Sequence, residues 1–227
     1  MKRVITALLA ALLVLSLAAC GSGGETKKLA GTWTCTIDVT DRMNAAAEQA
    51  LGLSAADGTA QMPLQLVLTV AEDGAYTLRY DSDAVRTALD AYAAALHPAA
   101  VESVYAAAEE QGLSREEYDA AMEKAGITMD DMVAAIFAGV DEEELLSLLT
   151  GRSAALTGYC RAEGGQLYLA DTAADLTETA DCLSYTLSDG TMTWTDAQGE
   201  LSSQLTEQEQ ELLRVPLTWT KRAEESK

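Results

Sequence analysis

The chain is poor in the residues that enzymes and disulfide-rich domains usually need. It has one histidine, one phenylalanine, three prolines and four cysteines in 227 residues. No Gly-x-Ser-x-Gly, His-Glu-x-x-His or phosphate-cradling glycine loop occurs, so nucleophilic, zinc and nucleotide chemistry are not indicated. The only histidine, His97, directly precedes Pro98, and we expect a structural role for it at a helix end. The sequence therefore predicts no enzyme activity and no cofactor.

Basic residues are also scarce. The chain has 15 lysines and arginines against 36 aspartates and glutamates, which gives a net charge of −21. Such a charge repels nucleic acid and anionic lipid headgroups, and it favours solubility, cations or cationic peptides. A calcium loop starting at Asp81 would place Arg86 where glycine is required. We therefore expect no nucleic-acid partner and no metal site.

The N-terminus carries the clearest signal in the chain. Lys2 and Arg3 precede an apolar run that ends in Leu17-Ala18-Ala19-Cys20. A basic start, a short apolar stretch and small residues before a cleavage point are typical of a secretory signal. The alternative is an uncleaved membrane-spanning helix, but residues 4–19 fall short of the roughly twenty that a helix needs to span a bilayer.

The cysteine directly after these small residues resembles the lipobox of bacterial lipoproteins. The resemblance implies that residues 1–19 are a signal peptide and that Cys20 becomes the first mature residue, carrying a diacylglyceryl chain. Because Gly21-Ser22-Gly23-Gly24 is typical of a flexible linker, residues 20–28 are predicted to be a lipidated, flexible tether. The protein is then expected on the extracytoplasmic face of the cell membrane. The other cysteines are Cys35, Cys160 and Cys182; small buried thiols are expected, and a disulfide between two of them is the alternative.

Strand patterns occur at both ends of the mature chain. From Gly31 apolar and polar residues alternate, as they do in a strand with one buried face, and further alternating segments bring the count to about eight. Residues that face each other across a hairpin must lie on the same face of the sheet, and this parity, together with the turn length, predicts the registers. It places Val70 opposite Tyr76, Cys160 opposite Leu169, and Tyr185 opposite Trp194. About eight antiparallel strands can close into a barrel, which hides their edges. The sequence therefore predicts an α+β fold built on an antiparallel β-barrel.

Residues 83–150 interrupt this pattern with a helical period and form a predicted insertion between strands 3 and 4. Pro98 is suited to the first turn of a new helix. Three glycines, each followed two residues later by a capping Ser, Thr or Asp, divide the rest: Gly112-Leu113-Ser114, Gly126-Ile127-Thr128 and Gly139-Val140-Asp141. About five short helices are expected. A further helix is predicted over Arg42–Leu51, and another near Thr206 and Glu209.

Gly31-Thr32-Trp33 at the start of the first strand resembles the Gly-x-Trp motif of lipocalin-like barrels. Lys221 or Arg222 is placed like the basic residue that covers this tryptophan in lipocalins. With the lipobox, the Asp-Gly hairpin and the Gly-Gln-Leu-Tyr-Leu strand, the chain is similar to lipocalin-like lipoproteins of Gram-positive bacteria. The resemblance implies a barrel over residues 29–222, interrupted by the insertion and followed by a tail at 223–227.

The resemblance also implies a non-enzymatic binding barrel for a small apolar ligand. The inward-facing residues expected to line its site are Trp33, Leu66, Leu68, Tyr76, Tyr185 and Trp194; plain core packing is an equally good account of each one taken singly. The alternative is an adaptor that uses its acidic helical insertion to bind another envelope protein. An apolar stripe exposed on the helices would favour that alternative.

Overall fold

The computed structural model describes residues 22–53, 60–137, 155–198 and 213–223. The signal peptide, Cys20, the Gly139 junction and the Thr206 helix lie outside these residues, as do most of the predicted tail and the last part of the predicted insertion.

Eight antiparallel strands form a closed barrel in which each strand neighbours the next and β8 closes on β1. The strands are β1 (Gly31–Asp38), β2 (Pro63–Val70), β3 (Ala75–Tyr80), β4 (Leu156–Glu163), β5 (Gln166–Ala170), β6 (Asp181–Ser188), β7 (Thr191–Gln198) and β8 (Leu217–Lys221). The helices are α1 (Ser22–Leu29), α2 (Thr40–Leu51), α3 (Ser82–Glu110), α4 (Arg115–Ala125) and α5 (Met129–Phe137), with a 3₁₀ turn at Ala173–Asp175. The predicted α+β barrel with a helical insertion between strands 3 and 4 is confirmed.

The hairpin registers expected from parity are present. Val70 lies opposite Tyr76, Cys160 opposite Leu169 and Tyr185 opposite Trp194. At the β6–β7 turn, Asp189 has φ 46° and Gly190 φ 76°, the left-handed pair that a two-residue type I′ turn requires. A slip of one residue would turn each apolar set to solvent, so burial of one face fixes the register.

The predicted flexible tether is wrong from Ser22 onward, because Ser22–Leu29 forms helix α1. Thr26 is buried, and its Oγ1 accepts a hydrogen bond of 3.0 Å from the Ala162 backbone N–H. Leu29 is 1% exposed. These contacts with the barrel order a segment whose glycines favour flexibility in isolation.

Helix α3 also differs from expectation, because Pro98 lies inside it rather than in the first turn of a second helix. Proline removes one backbone hydrogen bond from a helix interior. The buried face nevertheless continues through it at helical spacing, from Tyr92 and Leu96 to Ala100. Burial of that face along the whole helix therefore offsets the cost of a proline in the helix interior, which locally favours a helix break. The described part of the insertion therefore contains three helices.

The predicted helix junctions are confirmed at the two that are described. Gly126 ends α4 with φ 71°, and Gly112 follows α3 with φ 81°. Ser114 and Glu117 form a reciprocal capping box at the start of α4. Thr128 accepts from the Asp131 backbone N–H at 3.1 Å at the start of α5.

The chain divides into two compact units. The barrel unit comprises the described residues of Met1–Cys35, Leu66–Tyr80 and Ala154–Lys227; the helical unit comprises those of Thr36–Gln65 and Asp81–Ser153. In the helical unit, Leu53, Ala100 and Val133 form a buried cluster, and Tyr92 donates a 2.8 Å hydrogen bond to Asn44. Among the described helices, none combines the length and the apolar character that crossing a bilayer requires.

Candidate functional site: an apolar cavity in the barrel unit

The barrel unit contains a cavity of about 40 Å³. Six strands, α1 and the segment before β8 contribute its lining: Leu29, Leu68, Val70, Tyr76, Leu78, Leu156, Cys160, Leu167, Leu169, Asp181, Met192, Trp194 and Leu213. Asp181 is the only charged residue among them. Such a surface favours contact with apolar groups, because it offers little compensation for a desolvated charge.

The volume limits what the cavity holds in this conformation. A single water molecule needs roughly 10–15 Å³ of such cavity volume. The cavity therefore has room for about three water molecules. An engineered cavity that binds benzene has about 150 Å³, and sites for drug-sized ligands have about 300–1,000 Å³. A ligand with a long acyl chain therefore requires the lining side chains to move.

The six predicted lining residues are all buried, with exposed fractions between 1% for Trp33 and 9% for Tyr185. The structure brings three of them, Leu68, Tyr76 and Trp194, to the cavity. Trp33, Leu66 and Tyr185 do not line it.

Sequence reasoning missed several lining residues, of which Leu29 and Leu213 are the hardest to find. Both precede strands rather than lie in them, so strand alternation carries no signal for them. Leu169 could have been found, because it lies opposite Cys160, which also lines the cavity.

Trp33 lies where β1 pairs with β8 and contacts the end of α1. Its indole N–H donates a 2.7 Å hydrogen bond to the Leu29 carbonyl, and the Lys221 ammonium lies 5.3 Å from the ring centroid. Gly31 has φ 126°, and a Cβ there would lie 2.7 Å from Lys221 Cε, so this position requires glycine. The predicted placement of Lys221 over Trp33 is thus present in the structure. Together with the hydrogen bond to Leu29, this contact links β1, β8 and α1.

Two buried indole N–H groups lack a partner among the described residues, and one of them belongs to a residue that lines the cavity. The Trp194 indole N–H is buried and has no hydrogen-bond acceptor in the structure as described, and the same is true of Trp219. The two rings contact each other at an interplanar angle of 48°, with centroids 4.8 Å apart. Buried donors without acceptors are uncommon in native proteins and often mark an ordered water or a ligand. Both indole N–H groups are therefore without an acceptor among the described residues.

Burial suppresses the reactivity of the thiols. It raises the pKa of Cys35 to about 11 and that of Cys160, which lines the cavity, to about 12. A protonated thiol is a poor nucleophile. Cys35, Cys160 and Cys182 form no disulfide. Cys35 and Cys160 are therefore apolar core groups at neutral pH.

The charged groups described in the helical unit mainly form ion pairs and helix caps within that unit. Arg115 lies 2.8 Å from Glu102 and 3.2 Å from Glu109, and its guanidinium lies 4.7 Å from the Tyr105 ring centroid. Hydrogen bonds at the caps lower the pKa of Glu117 and that of Asp131. His97 contacts Asp130 at 3.1 Å. Within the described ranges, no three His, Cys, Asp or Glu side chains are grouped so as to hold a metal ion.

Comparison with known proteins gave no relative: no protein family, curated protein or solved structure matches this chain.

Proposed function

We propose that this chain is a lipid-anchored extracytoplasmic protein that binds a small, largely apolar molecule inside its barrel without catalysing a reaction. The observation that carries the binding proposal is the cavity, whose described lining residues include one charged side chain, Asp181. The anchoring proposal rests on the sequence up to Cys20.

Native mass spectrometry of the protein purified from its own membrane tests the binding proposal. We expect a bound mass that is lost in Leu68→Phe, because the larger ring fills the cavity. Leu66→Phe is the matched control, since Leu66 lies on the same strand and is buried but does not line the cavity. A folded wild-type protein that never carries a ligand would contradict this proposal.

The anchor is tested by cell fractionation. Cys20→Ala should move the protein from the membrane to the soluble fraction, because it removes the only proposed acylation site. Cys182→Ala is the matched control and should stay with the membrane. Membrane retention of Cys20→Ala would show that the anchor is assigned wrongly.

An adaptor function is the second candidate, and one surface favours it. Helix α4 has no buried residue, and Leu113 and Ile127 at its two ends are 38% and 43% exposed. Isolated exposed apolar residues are common, so this surface supports a partner site less strongly than a continuous patch would. A protein that co-purifies with the wild type and is lost in Leu113→Asp/Ile127→Asp would favour the adaptor.

A further inference from the structure

We propose that the end of the barrel covered by α1 rests directly on the membrane surface. We call this the hairpin end, because the β2–β3, β4–β5 and β6–β7 turns all lie there in an antiparallel barrel of this strand order. The inference rests on the proposed acylation of Cys20 and concerns what the chain does once anchored.

Helix α1 is fixed to the hairpin end. The Thr26 hydroxyl accepts from Ala162, next to the β4–β5 turn, and a Cβ at Gly74 in the β2–β3 turn would lie 3.5 Å from the Thr26 methyl. At the other end of the helix, Leu29 accepts from Trp33 on β1 and lines the cavity. The helix therefore crosses from the hairpins to the first strand and is held at both places.

The anchor point is close to this helix. Cys20 is two residues before Ser22, where α1 begins. Two residues span at most about 7 Å even when fully extended. Thr26, which contacts the hairpins, lies four helical residues beyond Ser22, or about 6 Å along the helix axis. Acyl chains on Cys20 would therefore hold the hairpin end within roughly 15 Å of the headgroups.

Charge agrees with this orientation. Exposed basic and acidic side chains roughly balance at the hairpin end: Lys27, Lys28, Lys221 and Arg222 against Glu72, Asp73, Glu163 and Asp189. Among the described barrel residues, the opposite end of the same strands is more acidic, with Asp171, Asp175, Glu178 and Asp181 against Arg79 and Arg214. An anionic bilayer repels the hairpin end less than the opposite end. This difference in charge between the two ends cannot be seen from the net charge of the chain, −21.

Fluorescence quenching in vesicles tests the orientation. The acylated protein is reconstituted in phosphatidylcholine and phosphatidylglycerol vesicles whose headgroups carry a spin-label quencher. A thiol-reactive fluorophore is attached at Glu72→Cys or, as the matched control, at Glu178→Cys, both in a Cys182→Ser background. Both glutamates are exposed, and the strand ends are roughly 20 Å apart for tilted eight-residue strands.

We expect the fluorophore at position 72 to be quenched several-fold more than that at position 178. Insertion of a twelve-residue Gly/Ser segment after Gly21 should abolish the difference while the protein stays on the vesicles. Equal quenching at both positions in vesicle-bound protein without the insertion would overturn the orientation and leave the anchor intact. Failure of the unaltered protein to associate with vesicles would overturn both.

Discussion

At the scale of the residue, Trp33 shows how one side chain joins three elements. It contacts α1 through its hydrogen bond to Leu29, lies on β1, and is covered by Lys221 at the end of β8. Its large apolar surface is 1% exposed. The tryptophan of the Gly-x-Trp motif thus stabilises the closure of the barrel and lies away from the cavity.

We expect Trp33→Ala to lower the free energy of unfolding by about 3–5 kcal/mol, because it leaves a large void in the core. Urea unfolding followed by circular dichroism measures this loss. Leu187→Ala is the control, since Leu187 is 36% exposed and a surface truncation typically changes stability by less than about 0.5 kcal/mol. Equal stability of Trp33→Ala and wild type would mean that Trp33 does not pack as described.

The buried thiols predict a pH dependence of stability. Cys35 and Cys160 have pKa values raised from 9.0 to about 11 and about 12. Between pH 9 and 11 the thiols ionise in the unfolded chain but stay protonated in the folded one, so the unfolded chain binds fewer protons. The free energy of unfolding should therefore be at its full value below pH 9 and should fall as the pH rises toward 11.

Chemical denaturation at pH 8, 9 and 10 measures this dependence. In the double variant Cys35→Ala/Cys160→Ala, the free energy of unfolding should fall less steeply with pH than in the wild type. This comparison separates the contribution of the thiols from that of tyrosines and lysines, which ionise in a similar pH range. The same slope in both proteins would contradict the assignment. A thiol reagent at pH 8 should modify Cys182, which is partly exposed, faster than the two buried thiols.

At the scale of the element, the strands and hairpins could be predicted from sequence and the helices only in part. Alternation and turn residues determine a hairpin locally, so the registers of Val70, Cys160 and Tyr185 were assigned correctly. The continuity of α3 through Pro98 depends on burial of a face that extends to both sides of the proline. Helix α1 likewise depends on contacts with strands that are distant in the sequence.

Pro98 gives a prediction at this scale. Pro98→Ala should raise the free energy of unfolding by about 1–3 kcal/mol, because alanine restores a backbone donor and Pro98 is exposed, so little packing is lost. Thermal unfolding measures the gain. Pro63→Ala at the start of β2 is the control and should show no comparable gain. A less stable Pro98→Ala protein would contradict the description of α3.

At the scale of the whole molecule, negative charge is the dominant property. The net charge of −21 implies self-repulsion that destabilises the compact state. We expect NaCl to raise the melting temperature between 0.01 and about 0.3 M, since salt screens this repulsion. Choline chloride at the same ionic strength should have the same effect, as should CaCl₂. A gain specific to calcium would reveal a metal site and contradict the prediction that there is none.

The strand pattern, the hairpin registers and the two described helix junctions could be predicted from the sequence, because each depends on residues that are close together in the chain. The anchor at Cys20 stays a prediction. Three features depend instead on tertiary contacts: the helix at Ser22–Leu29, the continuation of α3 through Pro98, and the meeting of Leu29 and Leu213 with Leu68, Tyr76 and Trp194 around the cavity. The small volume of that cavity also depends on them. These features depend on which distant side chains fill the same space, and the packing of those side chains cannot be read from local periodicity.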